Sequence, residues 1–115
     1  MQQLETLEHG GLYRIIQEAN GKDALILEQR NRKYFRQLIE RHIDPVGKVI
    51  SFRLWPNQLE LLVRFYAETE VPERYRNRLY QPLSNLFNAY AKSINKRYNR
   101  KGSLFRARFS RERLE

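Results

Sequence analysis

Cysteine is absent from these 115 residues, and histidine occurs only at His9 and His42, far apart in the chain. Without a thiol there is neither a disulfide framework nor a thiolate metal site, and two distant imidazoles make zinc chemistry of the cysteine–histidine kind a poor fit. No long uncharged apolar run exists, and residues 1–10 lack the apolar core of a secretory signal, so a cytoplasmic protein without membrane contact is expected. Internal repeats and low-complexity segments are also missing. Acidic residues are scarce as well: 13 Asp+Glu stand against 22 Lys+Arg, a net charge of +9.

What is present fits one domain. A chain of this length with 41% hydrophobic residues buries a single modest core. The whole of 1–115 therefore reads as one unit, with 1–10 a flexible lead-in and 103–115 a basic C-terminal arm. The positive excess implies a polyanionic partner, nucleic acid before membrane, because lysine and arginine neutralise phosphates and release counterions. It is concentrated late: Lys92, Lys96, Arg97, Arg100, Lys101, Arg106, Arg108, Arg111 and Arg113 are opposed only by Glu112. All but the last of these basic residues are the candidate DNA contacts, since interspersed guanidinium groups fork onto phosphate.

Periodicity supplies the elements. "LYRIIQ" alternates as a strand over 12–17, and Asn20-Gly21 marks the turn after it. Phe35, Leu38, Ile39, His42 and Ile43 fall at helical spacing within 28–43, which makes His42 a packed or capping residue; His9, in the lead-in, should be exposed. Asp44-Pro45 and Gly47 end that helix. Strands follow over 48–55 and 59–65 around the Pro56-Asn57 turn, then a polar stretch, 66–81, of loop or short helical turns. Pro82 suits the first position of a second helix running to about Asn99, with Leu83, Leu86, Phe87, Tyr90, Ile94 and Tyr98 on one stripe. Gly102 breaks it, and "SLFRARF" is a last strand or an extended arm. Strand, helix, strand, strand, helix, strand is the order of a ferredoxin-like α+β sandwich with an antiparallel sheet and two main helices.

One stretch within that order carries chemistry. In "PNQLELL", Gln58 and Glu60 are two apart on a strand and project from the same face just after a reversal. Side chains so placed can chelate an ion, or simply form the solvated face of a half-buried hairpin.

Three segments together, "PNQLELL", "YAKSIN" in the second helix and "RKGSLFRARF" after it, resemble in order and spacing the single-tyrosine HUH transposases of the REP-associated type. "GGLYRIIQEANGKD" is similar to that family's first strand and turn, so the resemblance runs from Gly10 to Arg113. It implies a tyrosine nucleophile attacking a DNA phosphodiester, helped by a divalent ion on two histidines. By position the nucleophile is Tyr90, facing the sheet beside Glu60. The ligands are Gln58 and Glu60, where the family has histidines, with Asn95 as a nearby substitute for a third.

A carboxylate and an amide are oxygen donors suited to Mg²⁺ or Mn²⁺ if the site is active, at reduced affinity. The expectation is a transposase-like protein that binds single-stranded or hairpin DNA, with cleavage weakened or lost. Its alternatives are an active metal-dependent nickase using Tyr90 and an RNA-binding ferredoxin-like module. The resemblance also implies a homodimer formed through the sheets. Glu18, where relatives carry basic or neutral residues, argues against a phosphate contact in the first turn.

Overall fold

The computed structural model describes residues 5–21, 24–106 and 108–115. Strand β1 (Leu12–Glu18) leads through helix α1 (Gln29–His42) to the hairpin of β2 (Gly47–Leu54) and β3 (Gln58–Phe65). Two short 3-10 turns, Glu68–Glu70 and Glu73–Tyr75, precede helix α2 (Tyr80–Arg97), and β4 (Ser110–Arg113) closes the chain. The sheet order is β2-β3-β1-β4 with every neighbouring pair antiparallel. Strands β1 and β2 therefore run parallel on either side of β3, and β3 and β4 on either side of β1. Each parallel pair is joined through a helix, because a parallel return needs a long crossover. This is the ferredoxin-like α+β sandwich expected.

Alternation decides which face is covered. Tyr13, Ile15 and Gln17 of β1 and Leu59, Leu61, Val63 and Phe65 of β3 are buried, while Arg14, Ile16, Gln58, Glu60, Leu62 and Arg64 are half-buried on the opposite face. The buried face lies under Phe35, Leu38 and Ile39 of α1 and Leu83, Leu86, Phe87 and Tyr90 of α2. A bulge between Val49 and Ser51 turns Ile50 outward, where it is 52% exposed.

Helix α1 starts in a reciprocal capping arrangement in which Asn31 Oδ1 accepts the Glu28 and Leu27 backbone N–H groups at 2.7 and 2.8 Å. Asn31 is buried, and its amide also donates to the Tyr98 hydroxyl at 3.1 Å. That hydroxyl donates in turn to Glu28 at 2.5 Å, so one polar network ties the start of α1 to the end of α2.

Three expectations need correction. Helix α2 begins at Tyr80, not Pro82; Pro82 sits in the first turn, where its missing N–H breaks no intrahelical bond. The lead-in, residues 1–4 lying outside the described residues, is tied to the fold at Leu7 and His9, both half-buried, although Glu5, Thr6, Glu8 and Gly10 are exposed: Tyr13 hydroxyl donates to Thr6 O at 3.1 Å, Glu8 N–H donates to that hydroxyl at 2.9 Å, and His9 lies against Arg76 O at 2.8 Å. Finally, the last strand forms at Ser110–Arg113, just after "SLFRARF". Leu104, Phe105 and Phe109 are buried, the two rings lying 5.7 and 5.5 Å from Phe87, and β4 pairs with β1. A solvated arm would have left three large apolar side chains in water.

Two stability predictions arise from the sheet edge and the helix end. A Cβ at Gly47 would lie 2.7 Å from the Arg64 carbonyl oxygen and 3.2 Å from Phe65 Cα, both backbone atoms of the paired strand. Gly47→Ala is therefore expected to destabilise the fold by about 1–3 kcal/mol, read as a lower urea midpoint. At the end of α1, burial and then Arg41 depress the His42 imidazole below its ordinary 6.5. As pH falls below that value the unfolded chain binds the proton and the folded chain resists it, so stability declines with acid. The urea midpoint should drop between about pH 7.5 and about pH 5.5, and drop less in His42→Leu.

Candidate nucleic-acid interface

On the open face of the sheet, charges answer one another. Glu60 lies between Arg14, 3.7 Å away, and Arg53, its register partner on β2. Arg14 also meets Glu112 at 3.5 Å, Arg64 pairs with Glu115, and Glu18 meets Arg106 at 3.5 Å. Gln58 stands opposite Glu18.

This donor set does not fit a divalent cation. Glu60 already meets the Arg14 guanidinium, with Arg53 opposite it in register, and Gln58 adds only a neutral oxygen. Asn95, the third expected ligand, is on the helical side of the sheet, donating to Gly102 O at 3.0 Å and accepting from Arg100 at 2.5 Å. Its work is to hold the turn after α2. Among the described residues no group of three His, Cys, Asp or Glu side chains is placed to hold a metal ion.

Tyr90 does not stand beside Glu60. It is 0% exposed on the covered side of the sheet, edge-on to Phe35 at 5.2 Å, stacked with Tyr34 at 6.4 Å and tilted against Phe105 at 6.3 Å. Its hydroxyl donates to the Leu25 carbonyl at 2.5 Å. Burial, reinforced by Tyr98 and opposed by Arg32, pushes the phenol well above its ordinary 10.0. A neutral phenol, bound to a carbonyl and cut off from water, is a structural donor. The stripe of which it is part was visible in the sequence; which way the stripe faced relative to Glu60 was not.

The helical layer is electrostatically different. Helix α2 contains no acidic residue, and α1 exposes Arg30, Arg32, Lys33, Arg36 and Arg41 against Glu40 alone. Between the two helices runs a groove of about 600 Å³ bounded by Arg30, Asn31, Tyr34, Ser93, Lys96 and Arg97. A bond of 2.7 Å between the Tyr34 and Ser93 hydroxyls spans it. Glu28, bonded to Arg30 at 3.1 Å and to Arg97 at 3.7 Å, is the acid beside it. The α1 contribution went unassigned from the sequence, although the signal was available as arginine and lysine between the apolar positions of that helix.

The expected DNA contacts divide accordingly. Lys96 and Arg97 border the groove, and Lys92 and Arg106 border a second recess beside α2. Lys101 and Arg108 are exposed. Arg111 is half-buried: its guanidinium lies 4.5 Å from the centre of the Phe109 ring, its Nε is buried without a partner, and burial followed by the nearby Arg108 lowers its proton affinity. Arg100 is likewise engaged, with Asn95.

No family model matches this chain, and no curated protein matches it in sequence. Solved structures do match. One is the REP-associated tyrosine transposase bound to a REP hairpin, at 10% identity and TM-score 0.68 over 100% of this chain. Another is a Deinococcus radiodurans R1 protein assigned as a transposase, at 10% identity and TM-score 0.66, again over 100% of this chain and 87% of that one. The chain spans 63% of the length of the REP-associated transposase. At such identity the likeness carries the fold: the ferredoxin-like sandwich described above is a fold found in tyrosine transposases.

Proposed function

We propose that this chain is a transposase-like DNA-binding domain that holds single-stranded or hairpin DNA against its helical layer, without strand cleavage by Tyr90. The observation that carries this reading is the separation of charge by face. On the sheet face Arg14 and Arg64 pair with carboxylates while Lys48 and Arg53 do not, whereas the helical layer, with no acid on α2, leaves Arg32, Lys33, Lys92 and Lys96 exposed with no ion-pair partner among the described residues. Uncompensated lysine and arginine on one surface are what phosphate attracts. The fold shared with a hairpin-bound transposase supports DNA as the polyanion.

The RNA-module alternative has less support, because the open sheet face of β1 and β3 carries no aromatic side chain on which a base could stack. A homodimer through the sheets would use that same face, where Leu12, Ile16 and Leu62 form a half-buried aliphatic strip. Light scattering at high protein concentration tests it, and a monomer would remove it.

Cleavage is tested by covalent capture on labelled hairpin DNA with a single-stranded extension, in Mg²⁺ or Mn²⁺. The native chain, Tyr90→Phe and a Gln58→His, Glu60→His double variant are all expected to bind without forming an adduct, since the tyrosine and the strand pair lie on opposite faces. An adduct in the native chain that vanishes in Tyr90→Phe would overturn the reading.

A further inference from the structure

We infer that the open edge of β2 takes up an extended peptide of a partner protein as an added antiparallel strand, acidic at its N-terminal end, with apolar side chains seated in the groove between β2 and α1. This goes beyond DNA binding and does not depend on it.

Strand β2 is the last on its side of the sheet, bonded to β3 alone among the described strands. At the hairpin Trp55 N–H donates to Gln58 O at 2.8 Å, and antiparallel pairs alternate between bonded and non-bonded, so the backbone groups of Leu54 and Phe52 point away from β3. They are a template for one more strand. Between β2 and α1 lies a groove of about 800 Å³, in which Val49 and Phe52 are half-buried and Ile50 is 52% exposed. A strand paired to β2 would send every second side chain into this groove and withdraw its apolar surface from water.

Charge is uneven along the groove. Arg36 lies over the Phe52 ring at 5.6 Å, with Arg32 one turn away on α1, whereas Glu40 and Asp44 are at the other end of the helix, near Lys48 at the start of β2. None of these five charged groups has an ion-pair partner among the described residues. An antiparallel peptide begins where β2 ends, beside Arg36, so acidic residues belong at its N-terminal end and a basic one near Glu40 and Asp44. A second copy of this chain fits less well, because each copy carries a net charge of +9. The bulge between Val49 and Ser51 also breaks the regular edge, which a free peptide can follow and a second rigid edge cannot. A nucleic acid has no amide row to pair with β2, and its phosphates would meet Glu40 and Asp44.

The test uses the full chain and fluorescence anisotropy with the labelled peptide acetyl-Glu-Glu-Val-Thr-Val-Thr-Val-Lys-amide. Micromolar binding is expected, weakened about tenfold by reversing the peptide sequence and by either Arg36→Glu or Ile50→Asp, both at exposed positions where folding is undisturbed. N-methylation of one alternate set of peptide amides should abolish binding, and of the other set should leave it within about twofold, since only every second amide faces β2. The Lys92→Glu, Lys96→Glu protein should bind the peptide as the native chain does.

No binding, equal affinity for the reversed peptide, or equal effects of the two methylation patterns would overturn strand addition. Displacement of the peptide by hairpin DNA, with Arg36→Glu weakening both ligands alike, would make the groove part of the nucleic-acid surface instead. A dimer in light scattering that Ile50→Asp dissociates would assign the edge to a second copy. Failure of the native chain to bind DNA would leave this inference in place, and failure of the peptide would leave DNA binding in place.

Discussion

Replacing Tyr90 by alanine is expected to remove about 3–5 kcal/mol of folding stability, the range for deleting a large buried aromatic side chain. The ring is fully buried and touches Phe35, Tyr34 and Phe105, so its loss leaves a cavity where α1, α2 and the segment after Gly102 meet. Tyr90→Phe dissects this. It keeps the ring and deletes only the hydroxyl, leaving the Leu25 carbonyl without its donor, at a cost of about 1–3 kcal/mol. Denaturant unfolding measures both losses. Hairpin-DNA affinity of Tyr90→Phe, compared below its unfolding transition, should equal that of the native chain. A Tyr90→Phe protein of unchanged stability that had lost a DNA-dependent covalent adduct would instead make this tyrosine a nucleophile.

Salt should act almost as strongly on binding as Tyr90→Ala does on folding. Suppose the helical layer neutralises about four phosphates: the logarithmic salt slope is then roughly −3, and raising salt from about 50 to about 200 mM weakens binding by roughly 50- to 150-fold. The location of the charge makes this specific. Lys92→Glu with Lys96→Glu should lower affinity further and flatten the slope, whereas Lys48→Glu, on the edge strand β2, should change neither much. Anisotropy titrations across salt concentrations read both quantities. A Lys48→Glu protein weakened more than the α2 variant would move the interface to the other side of the molecule.

The contrast between these two predictions follows how legible each feature was. Alternation in "LYRIIQ" and "LELLVRF", and the Phe35, Leu38, Ile39 spacing, expressed the strands and the first helix directly, because side-chain period is a local property of the backbone. The basic excess was equally plain from composition. Harder to see was what Arg111 and Arg100 do. Phe109 and Asn95 capture them only because β4 closes onto β1 and the chain turns tightly after α2. The same closure packs Leu104, Phe105 and Phe109 into the core.

The sequence by itself determined the element order, the ferredoxin-like sandwich and the positive charge, since each depends on residue type and spacing along the chain. Only the tertiary structure decided which surfaces these residues share. Antiparallel register placed Arg14 and Arg53 around Glu60, and helix packing set Tyr90 on the far side of the sheet from it. Those are relations between segments distant in the chain, and periodicity within a segment carries no information about them.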